Sequence, residues 1–344
     1  MHVTYRFQQP VERSAPLHLP SPFERSALFL RQSAALRLAG VRQPPQPLTY
    51  EVCVPASTSN LGAGFDCLGM ALDFWLRARL VPGDGPPRYT GRIAGLDPAH
   101  DIIWSELRPR AEAGNRRLEV HSDIPLSRGL GSSAAAMLAM LALRDLVDGT
   151  TRSAEELFRD AATREGHPDN AAPCTLGGAV LAVTRPDSDT PLLTRVTPHP
   201  TIGVALAVPE RTVETRKARA VLPDRVPSRD LVAQASRAAA LVLGLERGDA
   251  DLIAAGMDDC YAVPRRAPLI PGFEEARHAA SEAGAFGMTI SGSGSTLIAL
   301  TTKERAREIA SAMARAVSEA GNPTEPMTPK ICPKGLQISS YDSA

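Results

Sequence analysis

From residue 50 onward the apolar positions keep changing period, and each change marks a switch between strand and helix. Residues 50–54, 72–81 and 118–121 read as strands, and 134–147 is an apolar run of helical length. Residues 153–163 open with Ser153-Ala154-Glu155-Glu156, a capping box in which serine and glutamate satisfy each other's orphan amides, so this stretch is also predicted helical. Residues 178–184 and 202–208 return to β-rich character. Three helices follow at 229–245, 250–260 and 272–283, then a strand, a glycine-interrupted loop and a second strand over 288–301, and a closing helix at 304–320. Strands and helices are interspersed, which predicts a mixed α and β fold. There is no internal repeat.

The first 48 residues differ: they are Pro-rich, carry six Arg against two acids, and hold one helix-like segment at 24–39 with Leu28, Phe29, Leu36 and Leu38. They lack the basic, apolar and cleavage order of a signal peptide, and they read as a flexible extension rather than an organellar address. Gln43-Pro44-Pro45-Gln46-Pro47 reads as a linker. A charged, Pro-containing stretch at 185–200 predicts a second boundary, giving an extension over 1–48 and domains over 49–200 and 201–344.

Composition narrows the function classes. With 38 Lys and Arg against 38 Asp and Glu the formal charge is zero, so no electrostatic footprint for nucleic acid exists, and two Trp and five Tyr leave few stacking platforms. No stretch reaches the length of apolar residues that a membrane span requires. The five cysteines form no C-x-x-C and no Cys/His metal spacing, which predicts reduced thiols and a cytoplasmic location.

The most informative segment is Pro125-Leu126-Ser127-Arg128-Gly129-Leu130-Gly131-Ser132-Ser133-Ala134-Ala135-Ala136, which runs into the predicted helix. Glycines let backbone approach an anion closely, and the first amides of a helix have no intrahelical acceptor, so the junction is an anion cradle suited to a nucleotide phosphate. Three other readings compete. A dinucleotide fingerprint needs the strand to run directly into the glycines, whereas Ser122 to Arg128 intervene. A Walker loop needs a Lys after the glycines, and none is there. The third is a plain glycine-rich turn capping a core helix.

Further polar clusters favour the phosphate reading. Asn60 and Asp66 lie in the turn-rich stretch Ser57-Thr58-Ser59-Asn60-Leu61-Gly62-Ala63-Gly64-Phe65-Asp66, and a carboxylate there could hold an ammonium group. Glu165 precedes Gly166-His167-Pro168-Asp169-Asn170 and is the natural candidate for Mg²⁺, an ion that prefers hard oxygen ligands. His167 reads as a hydrogen-bonding loop residue rather than a base, since the sequence pairs it with no nucleophile. Ser291-Gly292-Ser293-Gly294-Ser295 could close over the site or simply join two strands.

In this order the segments resemble the GHMP small-molecule kinases, most closely the branch that phosphorylates homoserine. Residues 54–69, 125–136 and 289–300 carry the family resemblance. His167-Pro168-Asp169-Asn170-Ala171-Ala172-Pro173 with Gly177-Gly178, the stretch Thr215 to Pro223, and the stretch Arg266 to Gly272 carry the resemblance to that branch. It implies an α+β fold in two domains: an N-terminal ribosomal-protein-S5-domain-2-like domain with a left-handed β-α-β unit, and a C-terminal ferredoxin-like domain. It implies that Pro125, Arg128, Gly129, Leu130, Gly131, Ser132, Ser133 and Ala134 hold ATP, with Asp101 at the adenine pocket, and that Ser133 and Glu165 bind Mg²⁺. Asn60, Asp66, Asp169, Thr215, Arg219, Arg266 and Gly292 would surround L-homoserine, with Asp169 and Arg219 in catalytic roles. It further implies a homodimer, and a product, O-phospho-L-homoserine, on the way to threonine. The alternative acceptor is a related small amino alcohol. Departures are Asp101, where Asn is common in that branch, and the altered stretch Ala262-Val263-Pro264.

Overall fold

The computed structural model describes residues 48–342; the helix expected at 24–39 and the linker at 43–47 lie outside the described residues. The first strand, β1 (Leu48–Ser59), is longer than its pattern predicts and pairs antiparallel with β2 (Leu68–Pro82), with a register shift between Pro55 and Ala56. A short β3 (Arg88–Gly91) runs parallel to β4 (Arg116–Ser122), which pairs with one end of β2. The other end of β2 pairs with β5 (Ala179–Arg185), which forms a hairpin with β6 (Ser188–Val196). These strands and the last one, β11 (Gln337–Asp342), form a seven-stranded sheet containing the order β11-β1-β2-β4-β3.

β7 (Ile202–Pro209) begins a second, four-stranded sheet with β8 (Gly287–Ile290), β9 (Leu297–Thr302) and β10 (Thr324–Met327), in the order β10-β7-β9-β8 and with every pairing antiparallel. The chain then returns to the first sheet. Leu72 bridges Ile331, and β11 (Gln337–Asp342) pairs with Leu48 to Cys53 of β1.

The Ser132–Asp148 helix lies on β1 and β2 and buries Leu138, Met140, Leu141 and Leu143 together with four alanines. Each fully buried large apolar side chain contributes about 1.5–3 kcal/mol, so this helix is fixed firmly and its N-terminus with it. The second core gathers Phe273, Met288, Ile290, Leu297, Ile309 and Met313 between the sheet and the helices Phe273–Glu282 and Ala306–Glu319.

Several elements fall where the sequence pattern predicts none. The stretch 185–200, expected to separate domains, contains β6, whose Pro191 is tolerated because the strand lies at an edge of the sheet. The Ile102–Ala113 helix buries Ile103, Trp104, Leu107 and Ala111 at helical spacing despite Pro109. Helices Ala171–Leu176 and Thr215–Ala220 are too short to show a period. The helix expected over 250–260 ends at Met257.

Candidate active site

Gly131 is the N-cap of the Ser132–Asp148 helix at φ +68°, and no side chain caps that end. Its backbone crosses the end of β1 so closely that a Cβ there would lie 2.1 Å from Ser57 Oγ. Gly129, at φ +76°, is equally confined, since its Cβ would lie 2.1 Å from the Ser291 carbonyl. The floor under these glycines is polar and internally satisfied. Ser57 Oγ donates to Asn170 Oδ1 at 2.9 Å, and Asn170 Nδ2 donates to Ser59 Oγ at 2.8 Å.

The second glycine-rich segment is tied to the first. Ser291 Oγ donates to the Gly129 carbonyl at 2.7 Å, and Thr296 N donates to the Arg128 carbonyl at 3.1 Å. Gly292 N donates to the Ser59 carbonyl at 2.8 Å, and Asn60 Nδ2 donates back to the Gly292 carbonyl at 2.9 Å. The loop after β8 thus closes directly over the helix start and the end of β1.

Ser133 Oγ donates to Glu165 Oε1 at 2.6 Å. Glu165 is the last residue of the Ala154–Glu165 helix, where a carboxylate faces the negative end of the helix dipole and gains nothing from its own helix. Among the described residues no group of three or more His, Cys, Asp or Glu could hold a metal. A serine hydroxyl and one carboxylate nevertheless fit Mg²⁺, which takes one or two protein oxygens and completes its shell with phosphate and water.

Opposite charges gather on the other side. Arg219 reaches Asp66 with two parallel hydrogen bonds, Nη1 to Oδ2 at 3.0 Å and Nη2 to Oδ1 at 2.9 Å, and this raises the Arg219 pKa. Asp66 is held at φ +54° in a loop that closes on itself, its amide donating to Asn60 Oδ1 at 2.9 Å. Arg266 is 2 % exposed and donates to the carbonyls of Ala218 and Gly292, both at 3.0 Å. It makes no ion pair among the described residues, and burial, with Arg219 nearby, lowers its pKa. Both guanidinium groups face the Phe65 ring, at 6.0 Å for Arg219 and 5.2 Å for Arg266. Thr215 Oγ1 lies 3.1 Å from Ser293 Oγ.

Between the two halves, His167 Nδ1 is 2.7 Å from Asp169 Oδ1. Asp169 is 1 % exposed, and its Oδ2 has no hydrogen-bond partner among the described residues. The hydrogen bond to Asp169 is the main reason the His167 pKa lies above its ordinary value. Cys67 is half-buried and close to Asp169 and Asp66; its partial burial, more than those charges, pushes its pKa up to about 11, so it stays a thiol.

A helix-start anion cradle, paired hard oxygens and a charged zwitterion pocket in one cavity correspond to a small-molecule kinase, and the comparisons agree. Residues 101–178 match the GHMP kinases N terminal domain, and residues 241–319 match GHMP kinases C terminal. The homoserine kinase of Moorella thermoacetica is 39% identical over 278 residues, covering 78% of this chain and 93% of that protein. The homoserine kinase of Thermus thermophilus is 39% identical over 253 residues, covering 72% and 85%. The chain belongs to the homoserine kinases of the GHMP family. The crystal structure of homoserine kinase from Cytophaga hutchinsonii superposes with a TM-score of 0.71 at 29% identity, covering 88% of this chain and 100% of that one.

Within this homoserine kinase fold most of the expected residues converge on one cavity of about 680 Å³. Asn60, Gly129, Gly131, Ser132, Ser133, Ala134, Glu165, Thr215, Arg219, Arg266 and Gly292 line it. Asp66 and Asp169 stand behind that lining, joined to it through Arg219 and His167. Pro125 and Leu130 are buried beside the loop, and Arg128 donates its guanidinium to the carbonyls of Leu126, Pro209 and Glu210, which ties the loop to the end of β7. Asp101 is not among the lining residues. It caps the Ile102–Ala113 helix by accepting from Ile103 N at 2.9 Å and accepts from the Tyr89 hydroxyl at 2.8 Å, and burial raises its pKa.

His167, Asn170, Ser59 and Arg216 line the cavity without having been singled out as site residues. The sequence reads His167 as a hydrogen-bonding loop residue, and the structure shows that hydrogen bond, to Asp169 two positions away. That spacing was the available signal. Pro264 of the altered Ala262-Val263-Pro264 stretch falls in the first turn of the Val263–Arg266 helix, where its missing N–H costs nothing.

Proposed function

We propose that this protein transfers the γ-phosphoryl group of ATP to the side-chain hydroxyl of L-homoserine, giving O-phospho-L-homoserine and ADP in threonine biosynthesis. The observation that carries the reading is the buried, ion-pair-free guanidinium of Arg266 beside the Asp66–Arg219 pair, in the same cavity as the Gly129–Ser133 amides. Arg266 and Arg219 would meet the amino-acid carboxylate, Asp66 its ammonium group, and Asn60, Thr215 and Gly292 would frame the chain between. The cradle would hold the triphosphate. Ser133 and Glu165 would bind Mg²⁺, which neutralises phosphate charge when present.

In this reading the homoserine oxygen forms a bond to the γ-phosphorus as the bond to the β,γ-bridging oxygen breaks. Because the transition state is loose, alignment and charge neutralisation supply most of the acceleration. Arg219 would offset charge on the transferring group, and Asp169 would take or hold the hydroxyl proton at Oδ2, the oxygen without a partner among the described residues.

The domain division at residue 200 belongs to the same proposal. It is supported by the β-α-β-β-α-β succession of the second sheet and its β10-β7-β9-β8 order, the arrangement of a ferredoxin-like domain. The first sheet and the Ser132–Asp148 helix would form the ribosomal-protein-S5-domain-2-like part. A cytoplasmic homodimer is proposed with it. All five cysteines are free, and among the described residues no helix is long and apolar enough to cross a membrane.

The test is ADP release from Mg²⁺ATP with homoserine, threonine, mevalonate or galactose as acceptor. Stimulation by homoserine well above the others is expected. Stimulation by mevalonate or galactose alone would overturn the substrate assignment.

A further inference from the structure

Asp259, just beyond the Ala250–Met257 helix, is 4 % exposed and forms no ion pair among the described residues. Four donors converge on its two oxygens. Oδ2 accepts from the amides of Ala262 at 2.8 Å and Val263 at 2.6 Å, and Oδ1 accepts from Tyr261 N at 2.8 Å and Gln234 Nε2 at 2.6 Å. Gln234, on the Ser228–Arg247 helix, also donates to the Ala63 carbonyl at 3.1 Å and accepts from Cys260 N at 3.2 Å.

These contacts join three segments: the turn after the Ala250–Met257 helix, the Ser228–Arg247 helix and the loop that carries Ala63. Ala262 and Val263 begin the four-residue helix Val263–Arg266, whose N-cap residue Ala262 offers no side-chain cap, so the carboxylate three residues earlier takes that role. One turn later stands Arg266. Ala63 belongs to the loop that carries Asn60 and Asp66. Phe65 of that loop packs edge-on against Tyr261 at 5.0 Å, within the turn that Asp259 organises. Asp259 also lies close enough to favour the charged form of the buried Arg266.

We propose that Asp259, with Gln234, is a positioning residue for the amino-acid end of the site, fixing the Arg266 guanidinium relative to the Asn60–Asp66 loop. This rests on the reading that homoserine is the acceptor. The chemistry requires a carboxylate. All four partners donate, and an amide would offer one acceptor oxygen while turning its own N–H groups toward two donors.

Steady-state kinetics with each substrate varied at saturation of the other tests this in the full-length protein. Asp259→Asn is expected to raise the KM for homoserine by about tenfold or more, with the KM for ATP within about twofold of wild type. Gln234→Ala should raise the homoserine KM by about threefold and likewise spare ATP. Because Asp259 acts through Arg266, adding Asp259→Asn to Arg266→Lys should change the homoserine KM by less than about twofold. A homoserine KM unchanged in soluble Asp259→Asn, equal losses for both substrates, or full additivity in the cycle would each overturn the proposal. Should Asp259→Asn fail to fold, an unchanged homoserine KM in Gln234→Ala overturns it instead. A wild type that does not phosphorylate homoserine at all sinks the substrate reading, and this inference with it.

Discussion

Arg219 and Asp66 are each more than a third or about a third exposed, at 39% and 33% of their side chains, so their ion pair adds about 0.2–1 kcal/mol to stability at most. In the proposed function the pair serves as charge kept in place for the amino-acid substrate. His167 and Asp169 present the opposite case, being largely buried and coupled by a short hydrogen bond. Since that bond raises the His167 pKa above 6.5, the folded state binds the proton more tightly than the unfolded chain. The stabilisation is therefore full below 6.5 and is lost as pH rises through the raised value. Urea midpoints measured at about pH 6 and about pH 8.5 should fall further in wild type than in His167→Gln, and equal falls would contradict the assignment. Asp169→Asn tests the chemistry separately. It is expected to lower kcat by about 10²-fold or more, while a loss of only a few fold would leave Asp169 as an orienting group.

The Ser132–Asp148 helix offers an internal control, because it begins and ends on glycines of nearly equal conformation, Gly131 at φ +68° and Gly149 at φ +67°. Alanine at either must adopt a left-handed backbone, at a cost of about 1–2 kcal/mol. At Gly149 the new methyl meets nothing within 4 Å, whereas at Gly131 it meets Ser57 Oγ at 2.1 Å and would push the floor of the phosphate cradle aside. Gly149→Ala should lower Tm and leave both KM values unchanged, while Gly131→Ala should raise the KM for ATP by about tenfold or more. Matching ATP constants in the two variants would show that the cradle does not depend on that close approach. This helix was legible in the sequence because its apolar run is long and its glycines punctuate it. The Ser153 capping box was equally legible, and both of its hydrogen bonds form. β6 and β11 were not, since edge strands with polar, exposed positions carry no alternation. The hydroxyl, glycine and acid clusters of the site could be read as clusters. What could not be read was depth: the burial of Asp169 behind the cavity lining, and the link from Gln234 to Ala63 across 171 positions.

The two sheets are not independent, because the chain leaves the first at β6, builds the second, and returns to the first at its end. That return has two parts with different consequences. Residues 330–336 are sewn beneath the site: Lys330 N donates to Asp73 Oδ1, Cys332 N to the Ala71 carbonyl, Gly178 N to the Cys332 carbonyl, and Leu336 N to the Thr175 carbonyl. Thr175 lies in the Ala171–Leu176 helix, directly after His167, Asp169 and Asn170, so this strap braces the segment that carries them. β11 only pairs along the outer edge of β1, and nearly all of its residues are exposed. Ending the chain after Leu336 should therefore lower Tm modestly, by roughly 2–4 °C for each kcal/mol lost, and uncover the β1 edge to self-association, while kcat and both KM values stay near wild type. Ending it after Pro329 should also remove the strap and reduce kcat by about tenfold or more, because the catalytic segment loses the backing that holds its geometry. Thermal melts and kinetics on the two truncations decide the point. If the shorter deletion lowers kcat as much as the longer one, the brace lies in β11 rather than in residues 330–336, and the tail acts on the site through the β1 edge.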